Sequence, residues 1–149
     1  MFSPEDAIES QLQRGARQGG ELPVPYQVKW EPRGVYTRYY GHVTGADMRG
    51  NIEDICRDER FEQHHYHILD FSDATEFCAT EKEMLVNCGV LVRAAFMNHQ
   101  VMVAAVVTRE SVRATLDRLH ALGVSPFEAK IFPTLAEARK WIADSGFTA

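Results

Sequence analysis

Three histidines and a group of acidic and hydroxyl side chains lie close together in residues 64–75, which read HHYHILDFSDAT. On a strand, His65 and His67 would project from the same face, and two imidazoles on one face are the beginning of a zinc or copper site. The obvious third ligand, His42, is expected at the far end of the preceding strand, at the opposite edge of a parallel sheet. We therefore predict no metal site. We interpret His64, His65 and His67 as strand-entry residues that are partly exposed and bonded to loop carbonyls or water.

The acidic half of the same segment could carry catalysis. Asp70 and Ser72 fall where the predicted strand ends, the edge at which open α/β sheets usually bind ligands. A catalytic role would make Asp70 or Asp73 a nucleophile or a metal ligand, as in phosphoryl-transfer enzymes with an aspartate after a strand. Their spacing is three residues rather than two, and no obvious lysine or second acidic pair follows a later strand. We interpret Asp70 as an acceptor of backbone N–H bonds in its own loop and predict no enzymatic activity.

Composition restricts the class of protein. A chain of 149 residues with 45% hydrophobic content is expected to form one domain. Its net charge of −5 is spread along the chain, which disfavours nucleic acid and anionic membranes as partners. Cys56, Cys78 and Cys88 lack metal-type spacing and are interpreted as reduced thiols. Without a signal peptide or an apolar run long enough to span a bilayer, we expect a cytoplasmic protein with no cofactor and no membrane insertion.

The elements that must position these residues follow from periodicity and capping. Residues 1–25 are predicted to be an N-terminal extension, with a short helix capped by Ser3 and a Gly/Pro linker. Residues 26–149 are predicted to form the domain, in the order β-β-α-β-α-β-α-β-α. The first two strands form a hairpin, and residues 101–108 form a strand buried on both faces. Three helices are predicted to begin at Thr44, Thr80 and Thr134, each with an acidic residue three positions later.

The predicted helix 81–97 has two apolar faces. Met84, Cys88, Leu91 and Ala95, with Leu85 and Val92 beside them, form the stripe that we expect to face the core. A second stripe lies on nearly the opposite side and consists of Val86, Val90, Ala94 and Met97. We expect it to be covered by the N-terminal extension, by a second copy of the chain, or by a ligand at the mouth of a lipophilic pocket, and we favour a protein surface.

Five segments together resemble the SpoIIAA-like family, small bacterial proteins related to the STAS domain and the SEC14-type fold. They are YYGHVTGADM, DERF, HILDFSDATEF, VAAVVT and KIFPTLAEARKWI. The resemblance implies a four- to five-stranded mixed, mostly parallel sheet flanked by helices. It also implies a regulatory binding module whose Asp-Ser pair, after the third strand, is phosphorylated on the serine. Here Cys78 and Ala79 stand in place of that pair, with Thr80 next, so we predict that the usual serine switch is absent.

These arguments lead to a non-enzymatic regulatory module that binds a protein partner. The residues predicted to bind are those of the loop after the third strand and of the outer helix face, namely Asp70, Ser72, Thr75, Cys78, Thr80, Val86 and Val90. A homodimer through the face of Val86, Val90 and Met97 is one form of that interaction. The alternatives are a SEC14-like binding protein for a small lipophilic or anionic ligand and an Asp70-dependent hydrolase.

Overall fold

A computed structural model of the protein describes residues 24–123 and 125–147. Its strands and helices are, in chain order, β1 (Tyr26–Glu31), β2 (Gly34–Thr44), α1 (Gly45–Arg57), β3 (Tyr66–Cys78), α2 (Glu81–Met97), β4 (Met102–Val106), α3 (Glu110–Ala121), β5 (Glu128–Phe132) and α4 (Leu135–Asp144), with a 3-10 helix at Glu59–Gln63. The predicted order is confirmed. The helix and linker predicted within residues 1–25 lie outside the described residues, apart from the last two positions.

One five-stranded sheet organises the fold, with strand order β1-β2-β3-β4-β5. β1 and β2 are antiparallel, and every other neighbouring pair is parallel. The hairpin turn places Gly34 against β3, where a Cβ atom would come within 2.5 Å of the Tyr66 carbonyl oxygen. β1 and β5 are the edges of the sheet, and Lys29, Glu128 and Lys130 are exposed there. The mixed, mostly parallel sheet that the sequence predicts is therefore confirmed.

Helices cover both faces of this sheet. On one face α1, α2 and α3 pack against Tyr39, Leu69 and Phe71, and the rings of Tyr39 and Phe71 stack with centroids 4.6 Å apart. On the other face α4 packs Ala138 and Ile142 against β3 and β4. β4 contributes to both cores, as its unbroken apolar sequence predicted. None of the described helices is long and apolar enough to cross a membrane.

The predicted helix caps are present. The hydroxyl of Thr44 accepts a hydrogen bond from the Asp47 amide at 3.1 Å, and Thr80 accepts one from Glu83 at 3.0 Å. In both cases the carboxylate of the acidic residue accepts a hydrogen bond from the backbone N–H of the threonine, which completes a capping box. Thr134 caps α4. These bonds fix where the helices begin, immediately after strands of the sheet.

The predicted orientation of α2 is wrong in part: Met84 is buried and Val86 and Met97 are exposed, as predicted, but the helix is rotated about its axis from the predicted position. Val90 and Ala94, assigned to the outer stripe, are buried in the core at 7% and 3% exposure, whereas Leu85 and Val92 are exposed. The buried polar residue Asn87 explains the rotation, because its side-chain amide donates to the Gly45 carbonyl at 2.9 Å. In the sequence, a polar residue such as Asn87 marks its side of the helix as the one that faces solvent, although that side faces the core. The predicted homodimer face is corrected accordingly, since Val90 cannot belong to an outer surface.

Two of the three clustered histidines are also placed differently from the prediction. His64 and His67 are buried, at 3% and 8% exposure, rather than partly exposed. Aromatic rings explain the burial of His64, which lies edge-on to Phe61 and Trp30. The Nε2 atom of His67 lies 3.0 Å from the hydroxyl of Thr37, inside the core.

Strand β3 is longer than predicted and runs through to Cys78. The loop expected after residue 71 is instead a continuation of the strand, paired with β2 from Tyr40↔Asp73 to Thr44↔Cys78. Phe71 and Phe77 anchor it, because both rings are buried in the core. We call residues 40–44 of β2 and 73–78 of β3 the ribbon. It extends beyond the part of β3 that pairs with β4, which ends at Asp70.

Candidate interaction sites

The residues predicted to bind do not form one site. Asp70 and Ser72 lie in the middle of β3. Cys78 lies at its end, about 25 Å from Asp70 and about 20 Å from Ser72 at the usual rise of a strand. Thr75 is exposed on the ribbon, and Thr80 begins α2. Val86 is exposed on α2, and Val90 is buried. The structure therefore offers three separate places to consider, which are the surroundings of Asp70, the ribbon, and the surface of α2.

Asp70 is a buried hydrogen-bond acceptor with both carboxylate oxygens in use. One oxygen accepts from the Tyr36 hydroxyl at 2.5 Å, and the other accepts from the amide of Ser72 at 2.9 Å and from the Ser72 hydroxyl. The predicted backbone N–H bond to Asp70 is confirmed, but Asp70 and Ser72 lie within strand β3 and not in the predicted loop. Burial, followed by the bond to Asp70, raises the pKa of Tyr36 above its usual value, so this tyrosine stays a neutral donor.

On the ribbon, charged and polar side chains meet across the two strands. Arg38, just before the ribbon, pairs with Asp73 at 2.6 Å. His42 Nδ1 lies 3.1 Å from one oxygen of Glu76, and the Cys78 thiol donates to the other at 3.0 Å. His42, Glu76 and Cys78 are all exposed, and their ligand atoms lie within 4.8 Å of one another.

The thiol bond has opposite effects on its two partners. Accepting that bond, together with the nearby His42, lowers the pKa of Glu76, while donating it raises the pKa of the Cys78 thiol. The thiol is therefore held in its protonated form at neutral pH. The sequence did not reveal this cluster, because Cys78 follows His42 by 36 positions and only the β2–β3 register brings them together.

Thr80 is the N-cap residue of α2. Its amide donates to Glu83 at 2.9 Å while its hydroxyl accepts from the Glu83 amide. The start of α2 also touches the start of α1, since a Cβ atom on Gly45 would lie 2.8 Å from the Cβ of Glu83. The structural role predicted for Thr80 is confirmed.

The surface of α2 carries an apolar patch. Of the six large hydrophobic side chains that are exposed among the described residues, five lie on this helix. We call them the α2 face, and they are Leu85 (56% exposed), Val86 (44%), Val92 (42%), Phe96 (87%) and Met97 (46%). Gly89 lies between Leu85 and Val92 on the same side of the helix, and a Cβ atom there would meet nothing within 4 Å.

A cavity of about 500 Å³ lies between α3 and the sheet. Its walls are largely apolar and include Leu69, Val103 and Ile131. Charged and polar side chains, Arg113, Asp117, His120 and Lys130, also line it. Apolar walls with a few polar groups are typical of sites for small molecules.

No protein-family model matches the sequence, and no curated protein matches it either. Solved structures do share its fold. The unphosphorylated form of the anti-sigma factor antagonist SpoIIAA superposes with a TM-score of 0.51 at 12% identity, covering 82% of this chain and 99% of that one. An anti-sigma factor antagonist from Mycobacterium paratuberculosis superposes with a TM-score of 0.51 at 14% identity, covering 80% and 93%. The protein therefore has the SpoIIAA-like fold, and the fold that the resemblance implied is confirmed.

Proposed function

We propose that this protein is a regulatory module without enzymatic activity that binds a protein partner through the α2 face. The observation that carries the proposal is the exposure of five large apolar side chains on one helix. Burying one such side chain is worth about 1.5–3 kcal/mol. Contiguous apolar patches on a monomer often mark interaction sites, and a few anchors of this kind dominate most interfaces.

Phe96 is the expected anchor of that interface. It is 87% exposed, so almost its whole ring is free to enter a partner. Gly89 is consistent with an interface at the α2 face. No neighbour among the described residues requires a glycine there, because an added Cβ atom would meet nothing within 4 Å. A glycine in a helix interior costs about 1 kcal/mol relative to alanine, and here it leaves room for a second backbone to approach α2. The partner chemistry that fits is an apolar helix or groove.

Two observations support a binding role over catalysis. Both oxygens of Asp70 already accept hydrogen bonds, and the bond to Glu76 keeps the Cys78 thiol protonated and a poor nucleophile. The fold neighbours are anti-sigma factor antagonists, which favours a regulatory role. In place of the phosphorylatable pair of the family that the sequence resembles, this chain has Cys78 and Ala79. We therefore propose that its binding does not use the usual serine switch.

The experiment is affinity capture from native lysate with the wild type, Phe96→Glu and Leu122→Glu. Leu122 is a matched control, because it is also exposed, at 42%, but lies outside the α2 face. We expect the wild type and Leu122→Glu to recover one protein that Phe96→Glu does not recover. The purified partner should likewise bind the wild type and Leu122→Glu but not Phe96→Glu. Recovery that Phe96→Glu does not change would contradict the proposal.

Light scattering on the same three proteins identifies self-association. If the wild type and Leu122→Glu are dimers and Phe96→Glu is a monomer, the occupant of the α2 face is a second copy of this chain. If all three are monomers, the occupant is a different protein.

The cavity beside α3 favours a second candidate function, the binding of a small apolar molecule with a charged end. Ala129 lines this cavity on β5, so Ala129→Phe would fill part of the space. Native mass spectrometry of the wild type is expected to show a bound molecule that Ala129→Phe lacks. A wild-type spectrum with the mass of the bare chain alone would count against this candidate.

A further inference from the structure

We propose that His42, Glu76 and Cys78 form a binding site for a divalent metal ion of the zinc type at the end of the ribbon. This site is separate from the α2 face and does not depend on the function proposed above. It uses an imidazole nitrogen, a carboxylate oxygen and a thiolate sulfur from two neighbouring strands.

The register of the parallel strands creates the site. His42 lies opposite Glu76, and Cys78 follows Glu76 by two residues, so the three side chains project from the same face. In a tetrahedral zinc site, bonds of about 2.0–2.3 Å place neighbouring ligand atoms about 3.3–3.8 Å apart. Here His42 Nδ1 lies 3.1 Å from one carboxylate oxygen of Glu76, and the Cys78 sulfur lies 3.0 Å from the other. Taking one ligand atom from each residue, all three lie within 4.8 Å of one another. These separations are close to those that a single tetrahedral ion requires.

The donor atoms select the class of metal. Thiolate and imidazole suit zinc and its transition-metal neighbours, whereas magnesium and calcium prefer oxygen ligands. A thiolate and a carboxylate together carry two negative charges, which match the charge of the ion. Three protein ligands leave a fourth position for water or for a side chain from another molecule.

Metal binding must displace a proton. Without metal the thiol of Cys78 donates a hydrogen bond to the Glu76 carboxylate. The metal ligand is the thiolate, so binding forms a metal–sulfur bond and releases that proton to solvent.

The test uses the full-length chain without an affinity tag, freed of metal with a chelator and titrated with Co²⁺. We expect a thiolate-to-cobalt charge-transfer band in the near ultraviolet that saturates at one equivalent and is displaced by Zn²⁺. Cys78→Ser should abolish this band. His42→Ala should weaken binding by more than about tenfold, since even outer partners of metal ligands are worth that much.

Matched controls exist within the chain. Cys88→Ser and His99→Ala remove the same donor atoms at positions outside the cluster, and both should bind Co²⁺ as the wild type does. Phe96→Glu should also keep the band, which separates this test from that of the α2 face. The proposal is overturned if the wild type shows no charge-transfer band at one equivalent, or if the band survives in Cys78→Ser. Circular dichroism verifies that each variant is folded.

Discussion

We expect mild acid to lower the stability of this protein, because His64 and His67 are buried in its core. Burial lowers the pKa of His64 to about 4, and the nearby charge of His65 adds to that effect. Burial lowers the pKa of His67 to about 3, with a smaller contribution from His64. An unfolded histidine has a pKa near 6.5. Below that pH the unfolded chain binds protons that the folded protein excludes, so the free energy of unfolding falls as the pH falls.

The size of the effect follows from the pKa difference. At pH 5 both rings are neutral in the folded protein and largely protonated in the unfolded chain. Each pH unit below 6.5 then removes about 1.36 kcal/mol per histidine, which gives about 2 kcal/mol for each ring and about 4 kcal/mol for the pair. A domain of this size is stable by about 5–15 kcal/mol, so the loss is a large fraction of the total.

Urea denaturation at pH 8 and at pH 5 measures this loss directly. Between pH 8 and pH 5 the carboxylates affect the result little. Those with a lowered pKa, such as Glu31 and Glu76, have an ordinary pKa of 4.5 in the unfolded chain, so their contribution to stability is lost only below that pH. His64→Phe removes one titrating ring and keeps its contacts with Phe61 and Trp30. We expect the loss between pH 8 and pH 5 to fall from about 4 to about 2 kcal/mol in this variant.

The exposed His99 provides the control, and His99→Gln should show the same loss as the wild type. Because each variant is compared with itself at two pH values, a general change in stability does not affect the result. A wild-type loss below about 1 kcal/mol, or an equal loss in His64→Phe, would refute the reasoning. His64 also has no hydrogen-bond partner for either ring nitrogen among the described residues, so we expect His64→Phe to be at least as stable as the wild type at pH 8.

Three further changes should alter the free energy of unfolding, as measured by chemical denaturation. Gly34→Ala should destabilise the fold by about 1–3 kcal/mol, because the new Cβ would overlap the Tyr66 carbonyl; equal stability would mean that the hairpin can move away from β3. Thr80→Ala should cost about 1 kcal/mol through loss of the cap to Glu83, whereas Thr80→Ser should retain most of it. Gly89→Ala should stabilise the protein by about 0.5–1 kcal/mol, and a loss of stability would show that the glycine has a structural role.

Local chemistry made much of this fold predictable. Thr44 and Thr80 each precede an acidic residue by three positions, and that short pattern is enough to locate the start of a helix. The unbroken apolar run of β4 likewise predicted a strand covered on both faces. Helix caps and buried strands of this kind depend on residues that are close in sequence, so the sequence alone is enough to predict them.

The errors arose where contacts distant in sequence decide the outcome. Asn87 looks like a solvent-facing residue until the Gly45 carbonyl accepts its amide. Residues 72–78 look like a loop until β2 extends alongside them. For the candidate metal site, Glu76 and Cys78 are close in sequence, but His42 precedes Glu76 by 34 positions. A shift of one position in the β2–β3 register would separate His42 from the other two. Which residue of β2 lies opposite Glu76 depends on how the two strands pair, and the sequence of neither strand alone specifies it.

The exposed charges on the two edge strands affect how the protein behaves at high concentration. An open sheet edge presents unpaired backbone groups that can recruit a strand from another molecule and begin a fibril. β1 carries Lys29, and β5 carries Glu128 and Lys130 and is followed by Pro133, which has no N–H to donate. Adding a strand to either edge would bring such charges close to the incoming chain. The charges on the two edge strands therefore disfavour amyloid-like growth by strand addition.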